Sequence, residues 1–410
     1  MRTPIVTVAL VFVMAVEAQA QTFSSGSTGA DGAAYCSNQG TVYWQVPDSG
    51  VFNFTTVNVT FCNVRFIPNQ RNTPVIMLAQ GDVVIANSYV NLDGSAQTPG
   101  PGGFFGGAPG QAGFGPGGGA PGQHGQWVGP LSLVPPIGGS GGGGSGSYYG
   151  GGGGGSIVIA SSTSIQCTPS TFGIIARGGF GGGAGAGRGA GGAIRLVANS
   201  ITGSCLLNAT AAGNDGLIRI EAQPGQLLYT GTATPPAVLS TINPEVVPTS
   251  TTASLTITSI GGFPVFTDAG VRPGTVDVVL PRALTDPIAV AVQARNIPLG
   301  TEVNLNVTGS SGTTYTPETL AGAFELSTAT LQVSGLDRSA ETHLFVFATF
   351  DVPEGAGPFN PDGPDQVAQL RIQTTPGRPS TMAFLRRDGS EIDSRKVPPA
   401  LIQYFNATGR

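Results

Sequence analysis

The sequence predicts an all-β protein: a parallel β-helix with long glycine-rich insertions, followed by an antiparallel β-sandwich. Three observations carry that expectation. Short apolar stretches of similar pattern recur ahead of residue 231. Glycine, 65 of 410 residues, is concentrated between those stretches. Past residue 253 glycine thins and strict apolar–polar alternation takes over, the pattern of half-buried strands. No apolar stripe with a 3.6-residue period marks a helix.

Residues 1–20 read as a secretory signal peptide. Arg2 supplies the positive start, Ile5 to Val16 an apolar run, and Ala18-Gln19-Ala20 a small-x-small cleavage site. No later run approaches the ~18 apolar residues of a transmembrane segment. An exported chain meets an oxidising compartment, whether it is secreted, held at the cell surface or kept in a periplasm. Cys36, Cys62, Cys167 and Cys205 are therefore expected to form disulfides. The connectivity stays open; the local pairing, Cys36–Cys62 with Cys167–Cys205, is preferred because each pair falls in one block of sequence. A metal site would need Cys-x-x-Cys spacing or histidine, and the chain has no such spacing and only two histidines. A net charge of −5, with 10 % charged residues, offers no basic surface to nucleic acid.

Residues 21–231 are expected to build the β-helix. Pro74 onward reads PVIMLAQGDVVIANSYVNLDG, Ser156 onward SIVIASSTSIQC, Ala193 onward AIRLVANSITGSCLLNATAAG and Leu217 onward LIRIEAQPG. Aligned on Ile76, Ile157, Ile194 and Ile218, the last spacing is 24 residues and the earlier ones 37 and 81. A period in the twenties with short strands signals a solenoid. Each strand would turn alternate side chains inward. The longer spacings are one turn plus an insertion, and the insertions are the Gly-rich loops 94–155 and 178–192. The same repeat resumes after the first tract, so it reads as an excursion from one corner rather than a hinge between unlike domains. Closing so long a loop is tolerable, because the entropy grows only with the logarithm of its length.

The segments STGADGAAY (27–35), PDSGVFNFTTVNV (47–59), RFIPNQRNTPVIMLAQGDVVIANSYVNLDG (65–94), PGGFFGG (101–107) and GFGPGGG (113–119) resemble a family of exported bacterial glycine-rich proteins without an assigned activity. The resemblance covers roughly residues 24–222 and implies a right-handed parallel β-helix of the pectate-lyase-like type. This chain departs from the pattern at Cys36 and Cys62, and at Asn87, where glycine is more usual.

Residues 232–252 are rich in Pro and Thr and read as a stiff, solvated linker. Residues 253–375 alternate cleanly around Leu255 and Ile257, Val276 to Leu280, Ile288 to Val292, Val303 to Val307, Leu331 and Val333, Leu344 to Phe350, and Val367 to Ile372. About seven short strands punctuated by Pro, Gly, Asp and Asn argue for a β-sandwich. In the tail, 376–410, Asp388-Gly389 marks a hairpin between 382–385 and 390–392.

Catalytic chemistry is hard to place. No Asp or Glu lies between Gly94 and Asn214, whereas glycoside hydrolysis needs two carboxylates across the scissile bond. The nearby acids are Asp82, Asp93, Asp215 and Glu221, the first two in turn-forming Gly-Asp and Asp-Gly contexts. His124 falls in the first glycine loop and His343 in a sandwich strand. Gly138 to Gly142 spells Gly-x-Ser-x-Gly but lacks the strand and helix of a nucleophile elbow. No cofactor is implied.

Arg195 and Arg219 occupy the same place in AIRLVA and LIRIEA, and stacked turns would bring them together on an exposed face of the last turns. The pectate-lyase resemblance adds an anionic-sugar contact as the alternative. Phe104, Phe105, Phe114, Trp127, Tyr148 and Tyr149 put aromatic faces on the glycine loop, to stack on sugars or to pack on the flank. Five Asn-x-Ser/Thr sequons occur, at Asn53, Asn58, Asn208, Asn306 and Asn406.

The expected function is a secreted or cell-surface structural or adhesive protein, non-catalytic, that contacts polysaccharide or extracellular matrix. The alternatives are a polysaccharide-active lyase or hydrolase on the same fold, and a self-assembling coat or filament subunit.

Overall fold

A computed structural model describes residues 23–169, 171–211, 214–242, 246, 253–265, 277–308, 312–339, 342–352, 366–377, 380–392, 397 and 401. The expected signal peptide lies outside them. Every element among the described residues is a strand. The first fourteen are β1 (Ala34–Gln45), β2 (Val51–Phe54), β3 (Val57–Ile67), β4 (Val75–Ala79), β5 (Val83–Ala86), β6 (Tyr89–Asn91), β7 (Ser156–Thr168), β8 (Gly173–Ile175), β9 (Ala193–Gly203), β10 (Leu206–Asn208), β11 (Leu217–Ala222), β12 (Leu227–Tyr229), β13 (Ala233–Thr234) and β14 (Val238–Ser240).

These fourteen join in one large sheet whose pairings are all parallel. They follow three series. One runs β2-β4-β7-β9-β11-β14. A second runs from β1 through β3 and β5 to the later halves of β7 and β9, then β12. The third runs from β3 through β6, β8 and β10 to β13.

Ile157, Ile194 and Ile218 stand in register, as the repeat predicts. Ile76 does not: it pairs with Val158, and Val75 is the partner of Ile157. A slip of one residue exchanges the two faces of a strand. Val75 accordingly joins the cluster of Ile157, Ile194 and Ile218, while Ile76 joins Val158 and Val197 on the opposite face. Both faces are buried in β4, β11 and the first halves of β7 and β9, which explains why VIMLA and SIVIA read as unbroken apolar runs.

The outer face is covered by Phe23 and Val246 and, nearer the sandwich, by Leu131 and Leu133 over Ala193 and Leu217. Residues 23–31 form a strap across the strands. The Phe23 N–H donates to Asn199 Oδ1 (2.9 Å), that of Ser25 to Ser162 Oγ (2.9 Å), and the Ser25 and Ser27 hydroxyls to the carbonyls of Ala79 and Phe54 (2.7 Å each). Disulfides join Cys36 to Cys62 and Cys167 to Cys205 inside the parallel body. Asn87 adopts a φ of 49°, the left-handed region that asparagine tolerates better than most side chains.

The glycine tracts leave the sheet at one corner, between β6 and β7 and between β8 and β9. They are not open loops. Gly138 to Gly144 and Gly150 to Gly155 are buried, and extended segments lie side by side with lateral hydrogen bonds. From the segment 150–156, the N–H groups of Gly150, Gly153 and Ser156 donate to Gly107, Phe104 and Pro101. Those of Gly151 and Gly154 donate to Gly187 and Ala190, and those of Gly152 and Gly155 to Ala96 and Leu92. Each neighbour is thus met every third residue. That is the symmetry of an extended helix with three residues per turn and no internal hydrogen bonds. A Cβ on Gly153 would run into the Gly139 carbonyl, and one on Gly154 into that of Ala176. The expected loop is therefore a close-packed glycine body, because unpaired backbone groups could not be buried without these partners.

The second half holds β15 (Ser254–Ile260), β16 (Phe263–Pro264), β17 (Ile288–Arg295), β18 (Glu302–Thr308), β19 (Thr314–Thr316), β20 (Glu318–Thr319), β21 (Ala321–Ala323), β22 (Leu326–Ser334), β23 (His343–Asp351), β24 (Gln369–Thr374) and β25 (Thr381–Leu385). They form two antiparallel sheets, β16-β15-β17-β22-β19 with β21 beside β22, and β20-β18-β23-β24-β25. Leu255, Val290 and Leu331 of one and Val346, Ile372 and Phe384 of the other share a single core.

Two expectations need correction. Residues 277–280 form no strand; Val278 and Leu280 pack on the core from an irregular segment. The 232–252 linker is in part structured, since β13 and β14 extend the parallel sheet and Val246 is buried. The tail hairpin forms where expected, the Arg386–Gly389 turn returning the chain to a bridge between Leu385 and Glu391, and β25 seats it on the sandwich by pairing with β24.

Candidate functional site

The residues singled out for chemistry do not converge on one site. Arg195 and Arg219 are not on an exposed face; they are 0 % and 1 % exposed. They are register partners in β9 and β11, and Glu221, two residues after Arg219 and so on the same face, lies between them. Arg195 donates through Nε (3.2 Å) and Nη2 (3.1 Å) to Glu221, Arg219 donates through Nε to the same carboxylate, and Arg219 Nη2 reaches Ser240 Oγ (2.8 Å). Burial pushes the Glu221 carboxyl up, but the two guanidiniums outweigh it and hold it below its ordinary value. Sequestered in this triad, the arginines cannot serve as a ligand contact.

The other acids near the parallel sheet also have structural partners. Asp82 accepts from Thr163 Oγ1 (2.6 Å) and Ser164 Oγ (2.8 Å), which lower its pKa. Asp93 forms an ion pair with Arg177 (2.6 Å), and Asp215 accepts the Ala211 N–H (2.8 Å). Trp127 serves packing, its indole donating to the Ile137 carbonyl (3.1 Å) beside the sandwich core, while Phe105 is half-buried and its carbonyl accepts the Phe114 N–H.

Tyr148 and Tyr149 remain available, each 46 % exposed. They sit at a tip of the glycine body on a turn closed by reciprocal bonds between Ser145 and Tyr148. The Tyr149 carbonyl accepts the Gly182 N–H (2.8 Å), and the Tyr148 ring rests so close over Gly183 that no Cβ would fit there. This contact brings in the second glycine tract, whose Phe180 is 66 % exposed and lies beneath the Arg188 guanidinium, 4.6 Å from the ring centroid. The Arg188 N–H donates to His124 Nδ1 (2.9 Å). Phe180 and Arg188 escaped the sequence reading.

Phe104 lines a cleft of about 380 Å³ between the glycine body and the sandwich. Phe114 faces it from the same side, with Asn306, Arg338, His343 and Phe345 opposite. The Phe114 ring meets the His343 imidazole edge-on, centroids 4.7 Å apart. Arg338 is held by Asp286 (2.7 Å). The wall thus combines aromatic faces with Asn306 and His343 and with charged side chains, Arg338 together with Asp277 and Asp337.

Burial lowers the His343 pKa below 6.5. Its neutral form is favoured in the folded protein, while the unfolded chain takes up a proton first. Stability is therefore expected to fall as pH drops through about 6.5 toward the folded value. Urea midpoints across pH will show this slope in the native protein and a flatter one in His343→Asn.

No protein-family model, curated protein or solved structure matches the chain.

Proposed function

We propose that this is an exported, non-catalytic structural or adhesive protein, whose parallel sheet coils as a β-helix and carries the glycine body as a rigid display arm for contact with neutral polysaccharide. The observation that carries the reading is the tip, where Tyr148, Tyr149 and Phe180 are left exposed on backbone that lateral hydrogen bonds immobilise. Exposed rings on a fixed frame offer stacking area with little ordering entropy to lose on binding. The three stacked series support the coil, and the two disulfides suit an oxidising compartment. The resemblance to exported glycine-rich proteins points the same way.

The test is depletion of the protein from solution by insoluble neutral polysaccharides. Combining Tyr148→Ala, Tyr149→Ala and Phe180→Ala is expected to weaken binding by about tenfold or more, while leaving the unfolding midpoint nearly unchanged because the rings are exposed. Undiminished binding would sink the tip as the contact surface. Release of soluble sugar from the same polysaccharides would replace adhesion with catalysis.

A further inference from the structure

The two ends of the parallel sheet differ. At the C-terminal end the strands are short: β12, β13 and β14 have three, two and three residues, and Pro235 and Pro236 separate the last two. Short strands and prolines are standard protection for a sheet edge. At the other end β1 runs for twelve residues, AYCSNQGTVYWQ, and among the described residues pairs only with β3. It contains no charge and no proline. Its one protective device is a bulge between Ser37 and Gly40, which leaves Gly40–Gln45 as an unbroken open edge.

The core is also unfinished there. Val42 and Trp44 point inward but stay half-buried, and Trp44 meets Phe52 at a tilt and Phe54 and Phe66 edge-on. On the outer face Tyr43 is 62 % exposed.

We propose that this edge is a dimer interface, and that the occupant is a second copy of the chain, docked antiparallel along Gly40–Gln45 with Tyr43 opposite Tyr43 of the partner. An antiparallel edge is self-complementary, since a two-fold axis places each strand's donors against the other's acceptors. That register sets Val42 across from Trp44 of the other copy and closes both aromatic ends at once. With no charge on either strand, the copies meet without repulsion, although each chain carries a net −5. Because among the described residues only one end is open, the assembly stops at two and does not grow into a filament. The inference rests on strand pairing and does not depend on the polysaccharide reading.

Sedimentation velocity over a concentration series tests it with the intact protein. A monomer–dimer equilibrium without larger species is expected. Tyr43→Lys, at an exposed position that leaves the fold intact, sets like charges directly opposite and should weaken dimerisation by about tenfold or more; Tyr43→Phe should leave it unchanged. Tyr43→Cys should yield a covalent dimer under mild oxidation, and Leu326→Cys, exposed on the distant sandwich, should not. A native protein that is monomeric throughout, species larger than a dimer, or a dimer indifferent to Tyr43→Lys each overturns the proposal.

Discussion

Gly153→Ala is expected to cost about 3 kcal/mol or more of folding stability, whereas Gly182→Ala should cost well under 1 kcal/mol. Both are glycines in glycine-rich sequence, and both replacements add one methyl group. At Gly153 that methyl meets the Gly139 carbonyl, in a segment bonded to neighbours on three sides, so whole segments must part. At Gly182 the nearest atoms, in Tyr149, are 3.5 Å away, an ordinary contact at an exposed site. Urea unfolding of the two variants reads the difference. Should Gly153→Ala fail to accumulate while Gly182→Ala accumulates normally, the result stands. Equal, small effects would mean that the tract is a loop after all.

Glu221→Gln is expected to destabilise by about 3–5 kcal/mol, the usual consequence of removing one partner from a buried ionic group. The loss leaves Arg195 and Arg219 facing each other in adjacent strands, shielded from water. The same physics sets a pH dependence. The folded carboxyl sits below its ordinary value of 4.5, so its stabilisation is in place at neutral pH and is lost as pH falls from about 4.5 toward the folded value. Acid unfolding monitored in the native protein and in Glu221→Gln should converge at low pH. A variant as stable as the native protein at neutral pH would show that the triad contributes nothing there.

Much of the parallel half was legible because its strands are buried on both faces and read as apolar words such as SIVIA and AIRLVA. The same property hid the phase. PVIMLA has no polar residue to mark which side faces in, and the alignment on Ile76 came out one residue late. The glycine body was illegible for a different reason. Its threefold period belongs to the hydrogen bonds, and a run in which every position is glycine cannot display a period of three. The triad was within reach: Glu221 follows Arg219 at the strand's two-residue spacing, and the 24-residue repeat sets Arg195 alongside. The cleft was out of reach, because Phe114 and His343 come from segments with no local pattern linking them. At the tip, the paired tyrosines announced themselves, but Phe180 and Arg188 reach it only through the docking of the second glycine tract.

The strap at residues 23–31 has a bearing on the order in which the chain folds. It is made early and seated late: its anchor at Phe23 is Asn199, 176 residues downstream. During synthesis from the N-terminus onward, this end of the strap cannot be seated until β9 has been made. Seating the strap then fastens β2, β4, β7 and β9 together in a single closing step.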